Sequence, residues 1–276
     1  MLKRLWRRGE PQDPVPAVTP GSKEDYARRR SAVAARATVE AFLQRLDHPV
    51  PAQLRASLRN IHDWRWLVPA FAAAVPAAPD LEDIYCFGAA HGHTVRDLVL
   101  AYRAAGLALP RLHAFDSFMG LPDEEPGVPA APNFVAGAYA CTMEEFLRRV
   151  DALALPSGAL TVHPGWFADT LQPSLISSHR FAPAVYVDVD CDLYVSTRDA
   201  LRFMLRHRLL RRGSLIGYDD WGDSESIGGG ESRAHHELVD EFGLAVTELF
   251  SWGEPPLVRK LFRLESVSSH RDASGR

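Results

Sequence analysis

The sequence predicts an α/β protein built on a doubly wound, mostly parallel sheet, and three observations carry that expectation. From Leu81 onward, apolar runs of strand length alternate with segments of helix length. The run Ala184-Val185-Tyr186-Val187-Asp188-Val189 is almost continuously apolar, as strands covered on both faces are. Acids gather at strand ends, in Asp188-Val189-Asp190-Cys191-Asp192 and again in Asp219-Asp220 after Leu215-Ile216-Gly217-Tyr218. An unpaired carboxylate inside a sheet costs several kcal/mol, so these acids belong just beyond the strand tips, where open α/β sheets bind ligands.

Taken in order, residues 1–22 carry Pro11, Pro14, Pro16 and Pro20 among charged residues and read as a disordered or draped tail. Residues 23–78 read as a helical prefix. Val39, Phe42, Leu43 and Leu46 mark one apolar helix face; Leu54, Leu58, Ile61 and Trp64 to Leu67 continue the pattern, and an Ala/Pro stretch, Val75 to Pro79, closes it. Residues 79–265 form the main domain. Its strands are expected at Ile84–Phe87, Leu112–Phe115, Leu160–His163, Phe181–Val189, Ser214–Tyr218, Val246–Phe250 and Val258–Leu264. Its helices are expected at Thr94–Ala105, Thr142–Ala152, Ser196–Arg212 and Ser232–Phe242. Ser196 with Asp199 three residues on opens the third helix, and basic residues followed by Gly213 close it. A right-handed crossover through that helix brings Asp190, Asp192, Asp219 and Asp220 to one sheet edge. Residues 266–276 read as a disordered tail.

Composition excludes several classes. A chain of 276 residues with 46% hydrophobic residues builds a full core. A net charge of -4 argues against a nucleic-acid partner, and the basic residues near the N-terminus (Lys3, Arg4, Arg7, Arg8, Arg28 to Arg30) read as a solvated tail and helix face. Cys86, Cys141 and Cys191 are odd in number and widely spaced, which points to reduced thiols and a cytoplasmic protein. No apolar run reaches 18 residues, so neither a membrane span nor a membrane partner is expected.

Several converging carboxylates without thiolate or imidazole suit a hard divalent cation, Mg²⁺ before Ca²⁺ or Mn²⁺. Asp188 stands apart: it either joins this group or pairs with a basic neighbour. The first strand-to-helix turn, Phe87-Gly88-Ala89-Ala90-His91-Gly92-His93, has the glycines and helix N-terminus that grip nucleoside cofactors. The next strand ends at Asp116-Ser117, where an acid commonly binds a ribose diol. These two features alone leave NAD open, although a third glycine is missing and hydride transfer has no use for the later acids. His91 and His93 read as a cofactor-loop or substrate contact rather than a metal pair. His235 and His236 read as either a solvated helix start or part of a substrate-facing loop.

Four blocks then carry a resemblance: Phe87-Gly88 with Gly92-His93; Phe115-Asp116-Ser117-Phe118 with Gly120-Leu121-Pro122; Gly165-Trp166-Phe167 with Asp169-Thr170-Leu171; and Asp190-Cys191-Asp192-Leu193-Tyr194 with Ser196-Thr197 and Asp219-Asp220-Trp221. Over residues 84–264 the chain resembles the class I S-adenosylmethionine-dependent methyltransferases, and among them the metal-dependent sugar O-methyltransferases of the macrocin type. The resemblance implies a Rossmann-like methyltransferase sheet, with the prefix as a lid or dimerisation segment. It implies that the turn Gly88, Ala90, Gly92 and His93 holds the methionine end of the cofactor, Asp116 with Ser117 the ribose, and Gly165, Trp166 and Phe167 the adenine side. By the same comparison Asp190, Asp219 and Asp220 are Mg²⁺ ligands, and Asp192 joins Asp190 in catalysis by accepting the substrate proton. Glu231 and Arg233 match a Gly-Glu-x-Arg segment of related chains and are, with Trp221, second-tier substrate residues; Trp221 reads equally as a buried aromatic. One position departs from the family: Cys86 stands where an acid usually grips the cofactor's amino group.

The expectation is therefore an O-methyltransferase that uses S-adenosylmethionine and Mg²⁺ on a small hydroxylated, polyhydroxylated or glycosylated natural product, compatible with a homo-oligomer. A vicinal pair of oxygens suits such a cation, which orients both and acidifies one. The alternatives are a non-catalytic protein that binds S-adenosylmethionine and a NAD-dependent Rossmann oxidoreductase.

Overall fold

A computed structural model describes residues 52–57, 63–74, 80–253, 255 and 258–268. The expected N-terminal tail, the Val39 to Leu46 helix face, Leu58, Ile61 and residues 269–276 lie outside the described residues.

Of the prefix, α1 (Ala52–Ser57), a 3₁₀ turn (Trp64–Leu67) and α2 (Val68–Ala74) are described. The main domain follows as β1 (Asp83–Phe87), α3 (His93–Ala105), β2 (Arg111–Asp116), α4 (Met143–Asp151), β3 (Leu160–Pro164), α5 (Phe167–Thr170), α6 (Pro173–Ser178) and β4 (Ala184–Val189). It continues with α7 (Tyr194–Arg206), β5 (Leu215–Tyr218), α8 (Trp221–Ile227), α9 (Gly230–Phe242), β6 (Leu244–Trp252) and β7 (Arg259–Val267). The seven strands form one sheet in the order β3-β2-β1-β4-β5-β7-β6. β1 to β5 are parallel, and β7 pairs antiparallel with both β5 and β6. Strand order reverses between β1 and β4, the switch point at which such sheets open a crevice.

Alternation along the strands separates two cores. Ile84 and Cys86 of β1 and Tyr186 of β4 face a layer made by the prefix, α3 and α4. Tyr85, Phe87, Val187 and Val189 face the other layer, made largely by α7 and α9. α4 begins with a capping box: Thr142 Oγ1 accepts from the Glu145 amide while the Glu145 side chain accepts from the Thr142 amide.

Several element boundaries depart from the sequence pattern. β7 runs to Val267, so residues 266 and 267 are strand paired with β6 rather than part of the expected disordered tail. β4 starts at Ala184 rather than Phe181, because the Phe181 ring packs on His113, 4.7 Å between ring centres. α7 starts two residues before Ser196 and ends at Arg206, six before Arg212. Ser196 is buried inside the helix, and the chain leaves the helix so that Leu209 and Leu210 enter the core.

The prefix is tied to the sheet by Trp64 and Arg65. A Cβ on Gly217 of β5 would lie 2.2 Å from the Trp64 ring and 2.5 Å from the Tyr186 hydroxyl, so this strand glycine makes the slot the tryptophan fills. Beside it the buried Arg65 forks onto Asp188 of β4, Nε to Oδ2 at 2.8 Å and Nη2 to Oδ1 at 3.0 Å. Tyr186 also donates to Asp188, at 2.6 Å. The sequence left Asp188 two readings; the structure pairs it with a basic residue within the strand.

Removing one partner of a buried ion pair strands the other charge. Arg65→Met should therefore lower stability by about 3–5 kcal/mol in denaturant unfolding. Adding Asp188→Asn, which removes the stranded charge, should restore much of the loss; if the double variant is no more stable than the single one, this pairing is not what holds the prefix.

Candidate active site

A cavity of about 370 Å³ opens at the carboxyl ends of β1, β2 and β4. Gly88, Ala90, Asp116, Ser117, Trp166, Phe167, Asp190 and Asp192 all line it. Gly92, His93, Gly165, Asp219, Asp220, Trp221, Glu231 and Arg233 lie outside its lining.

The turn after β1, expected to hold the cofactor, is built by close approach. Gly88 has φ +88°, and a Cβ there would lie 1.7 Å from the Asp190 carbonyl oxygen, so the tips of β1 and β4 meet only because this residue is glycine. Asp116 knits the turns after β1 and β2, its Oδ2 accepting from the Ala90 amide and its Oδ1 from the Phe118 amide, both at 2.7 Å. Burial raises its pKa while those amides oppose the shift. His93 opens α3, and its Nε2 lies 2.8 Å from Arg149 Nη1. Burial, and then Arg149, lower its pKa to about 4, so the ring is a neutral acceptor. Cys86 is fully buried in the core face shared with the prefix, and its thiol is held protonated by burial and then by Asp188. The side chain that replaces the usual acid therefore faces the Arg65 network rather than the cavity wall.

Asp190, Asp219 and Asp220 come together as expected, each offering a carboxylate oxygen within 4.8 Å of the others. The backbone sets this up: the Asp190 amide bonds to the Phe87 carbonyl and the Asp219 amide to the Val189 carbonyl, each at 3.0 Å, so the segment past each strand is pinned to its neighbour. Asp192 sits at φ +61°, in the left-handed region that Asp tolerates better than most residues.

Two arginines outside the sequence-derived set hold part of this charge. Arg65 Nη2 donates to Asp190 Oδ2 at 2.9 Å and its Nη1 lies 3.2 Å from Asp219 Oδ1. Arg259 Nε and Trp64 Nε1 also donate to Asp219 Oδ1, at 3.1 and 3.0 Å. Burial pushes Asp219 up, but Arg65 and Arg259 outweigh it and bring the pKa down to about 2. The remaining acids are pushed the other way. Burial and then Asp219 raise Asp190 and Asp220 well above the carboxylate range, and burial and then Asp190 push Asp192 up to about 7. With Asp219 engaged by both arginines, Asp190, Asp192 and Asp220 are crowded carboxyls that favour their protonated forms, and a divalent cation would take the place of those protons. An all-oxygen donor set of this kind fits a hard divalent cation.

Of the second-tier residues, Trp221 follows the buried-aromatic one of its two readings, and none of the three lines the cavity. Trp221 is a buried aromatic, 5.0 Å from Phe262 between ring centres, and not a pocket wall. Glu231 is fully buried; its Oε2 accepts from the Asp220 amide at 2.9 Å, so it bears on Asp220 from below and touches no solvent. Arg233 pairs with Glu237 and lies over the Tyr194 ring, 5.0 Å from its centre. His235 is buried against the Tyr218 hydroxyl rather than facing a loop.

Glu124 was missed by the sequence reading. Its Oε2 and Oε1 accept from the Tyr194 and Val195 amides, at 2.8 and 3.0 Å, capping α7 in place of Ser196 and fastening the loop after Leu121-Pro122 beside Asp192. A remote carboxylate cap leaves no local signature. Arg65 left two faint ones: a mid-strand acid in need of a cation, and a mid-strand glycine that implies close approach.

Residues 95–238, just over half of the chain, match the family model described as Macrocin-O-methyltransferase (TylF). The chain belongs to that family. Like the family, it is an S-adenosylmethionine-dependent methyltransferase, which removes the NAD-dependent alternative. Two solved structures share its fold. The calicheamicin methyltransferase CalS11 is 19% identical with a TM-score of 0.57, covering 93% of this chain and 98% of that one. The O-methyltransferase NovP is 18% identical with a TM-score of 0.58, covering 86% and 99%. No curated protein matches the chain. Among the described residues, no helix is long and apolar enough to cross a membrane.

Within this macrocin O-methyltransferase family member, the cap on α7 is directly testable. Glu124→Ala leaves two amides without their acceptors and should cost about 1–2 kcal/mol in thermal unfolding, whereas Glu124→Gln, which keeps an acceptor oxygen, should cost less than half of that. Equal losses would assign the effect to packing.

Proposed function

We propose that this enzyme methylates a hydroxyl of a small polyhydroxylated or glycosylated natural product, with Mg²⁺ held by Asp190, Asp219 and Asp220. One observation carries the reading: Asp190 and Asp192 line the same cavity as Gly88 and Asp116, and the partners of Asp190 in the acid cluster stand behind it. The residues proposed for a nucleoside cofactor and those proposed for a hydroxyl-rich acceptor therefore share one crevice.

The residues divide the work as follows. Gly88 and Ala90 bound the end of the crevice proposed for the methionine moiety. Each Asp116 carboxylate oxygen is engaged by one amide and keeps acceptor capacity for a ribose hydroxyl, with Ser117 beside it. Trp166 and Phe167 flank the adenine side, held by Gly165, whose amide bonds to the Asp116 carbonyl at 2.9 Å. Gly92 and His93 act on the cofactor through the shape of the turn they close. S-adenosylmethionine supplies a methyl on a sulfonium and leaves as S-adenosylhomocysteine. Asp192 accepts the acceptor's hydroxyl proton on a carboxylate oxygen as the oxygen–methyl bond forms and the sulfur–methyl bond breaks. Asp190, Asp219 and Asp220 would hold the cation, which would supply Lewis acidity that makes the acceptor hydroxyl easier to deprotonate. Asp190 aligns this acceptor with the methyl-bearing end of the crevice, the positioning an in-line displacement requires. Trp64 and Arg65 back the acid cluster, which favours a site-forming role for the prefix.

The direct test is transfer of labelled methyl from S-adenosylmethionine to glycosides bearing vicinal hydroxyls. Chelation should abolish transfer and Mg²⁺ should restore it; full turnover after rigorous chelation would overturn the metal assignment. Asp192→Asn should reduce kcat by about 10²–10⁴ with the fold and cofactor affinity kept, as loss of a positioned base does. Near-normal turnover with a lowered melting temperature would instead make Asp192 a structural residue. Asp116→Ala should weaken cofactor binding by about 1.5–3 kcal/mol in calorimetry, while Asp190→Ala should remove turnover with a much smaller effect on cofactor binding.

A further inference from the structure

We propose that His91, Cys141 and Glu145 form a second metal site, suited to a borderline-soft divalent cation such as Zn²⁺. The three residues converge from two segments far apart in sequence. His91 lies on the turn between β1 and α3, Cys141 immediately precedes the α4 cap Thr142, and Glu145 is in the first turn of α4. One ligand atom from each lies within 4.8 Å of the others. Unlike the acid cluster, this set offers sulfur, nitrogen and oxygen, the donors of zinc sites in which water completes a tetrahedron.

Two of the donors are already held in place. The Glu145 Oε2 is pinned by the Thr142 amide at 2.9 Å and hydroxyl at 3.0 Å, which leaves Oε1 for a ligand. Cys141 is 4% exposed, with its Sγ 3.2 Å from the Ala90 carbonyl oxygen. The third donor is adjustable. The His91 ring is exposed and makes no hydrogen bond among the described residues, while Arg149 Nη1 fixes its main chain by donating to the His91 carbonyl at 2.6 Å. Burial and then Glu145 keep the Cys141 thiol protonated, so metal binding would release its proton. Occupancy would clasp α4 to the turn that carries Ala90, whose amide bonds to Asp116. The site therefore couples a thiophilic ion to the cofactor turn, at a place separate from the proposed Mg²⁺ ligands.

Titrating the chelator-treated full chain with Co²⁺ as a spectroscopic stand-in for Zn²⁺ tests this without measuring methyl transfer. One equivalent should produce a thiolate-to-cobalt charge-transfer band that Zn²⁺ abolishes by competition. The band should vanish in Cys141→Ser, and affinity should fall by more than about a hundredfold in His91→Gln and Glu145→Gln, beyond the usual cost of losing an outer-shell partner. Glu145→Gln keeps the capping box and His91→Gln changes an exposed ring, so both remain informative if Cys141→Ser folds poorly. Absence of the band in the unmutated chain, its survival in Cys141→Ser, or unchanged affinity in both Gln variants would overturn the proposal.

Discussion

One guanidinium organises the centre of this molecule. Arg65 arrives from outside the main domain and is met by Asp188, Asp190 and Asp219, acids from two adjacent strands and the segments beyond them. Burial works against its charge, yet the surrounding carboxylates outweigh that effect and raise its pKa, so it stays cationic. Without it the β4–β5 edge would be a cluster of mutually repelling acids in a low-dielectric interior. The planar fork of arginine suits the task because it addresses several oxygens from one rigid group.

Around that centre the same side chains serve both architecture and chemistry. Asp116 closes two turns through backbone amides while facing the cavity, and Gly88 makes room for the Asp190 carbonyl while lining the same cavity. Asp192 is held at a positive φ between a fixed strand end and a helix capped by Glu124. Such local strain persists only where the surroundings over-determine the backbone, and here both flanks are pinned.

The sheet was legible because its evidence is periodic: β1, β4 and β5 are apolar runs of the right length, β2 and β3 are short ones interrupted by His113 and His163, and the acids past β4 and β5 mark the edge at which the cavity opens. The convergence of Asp190, Asp219 and Asp220 followed from one crossover. Partners that arrive from distant segments were not legible. Nothing near Arg65 names Asp188, nothing near Tyr194 names Glu124, and the motif position of Glu231 gave no hint that it lies under Asp220 rather than in contact with solvent. Capping preference misplaced the start of α7 at Ser196 for the same reason, since a long-range carboxylate outcompeted a local hydroxyl.

The slot at Gly217 changes what counts as the domain. By sequence pattern the catalytic unit begins near residue 79, yet a chain starting there would carry an uncovered hole in the middle of its own sheet and a buried Asp188 with no counter-charge. Trp64 and Arg65 are thus internal parts of the sheet's packing that happen to be encoded upstream of it. The Ala/Pro stretch between them and β1 marks a change in sequence character, while the packing of the sheet runs straight across it to Trp64 and Arg65.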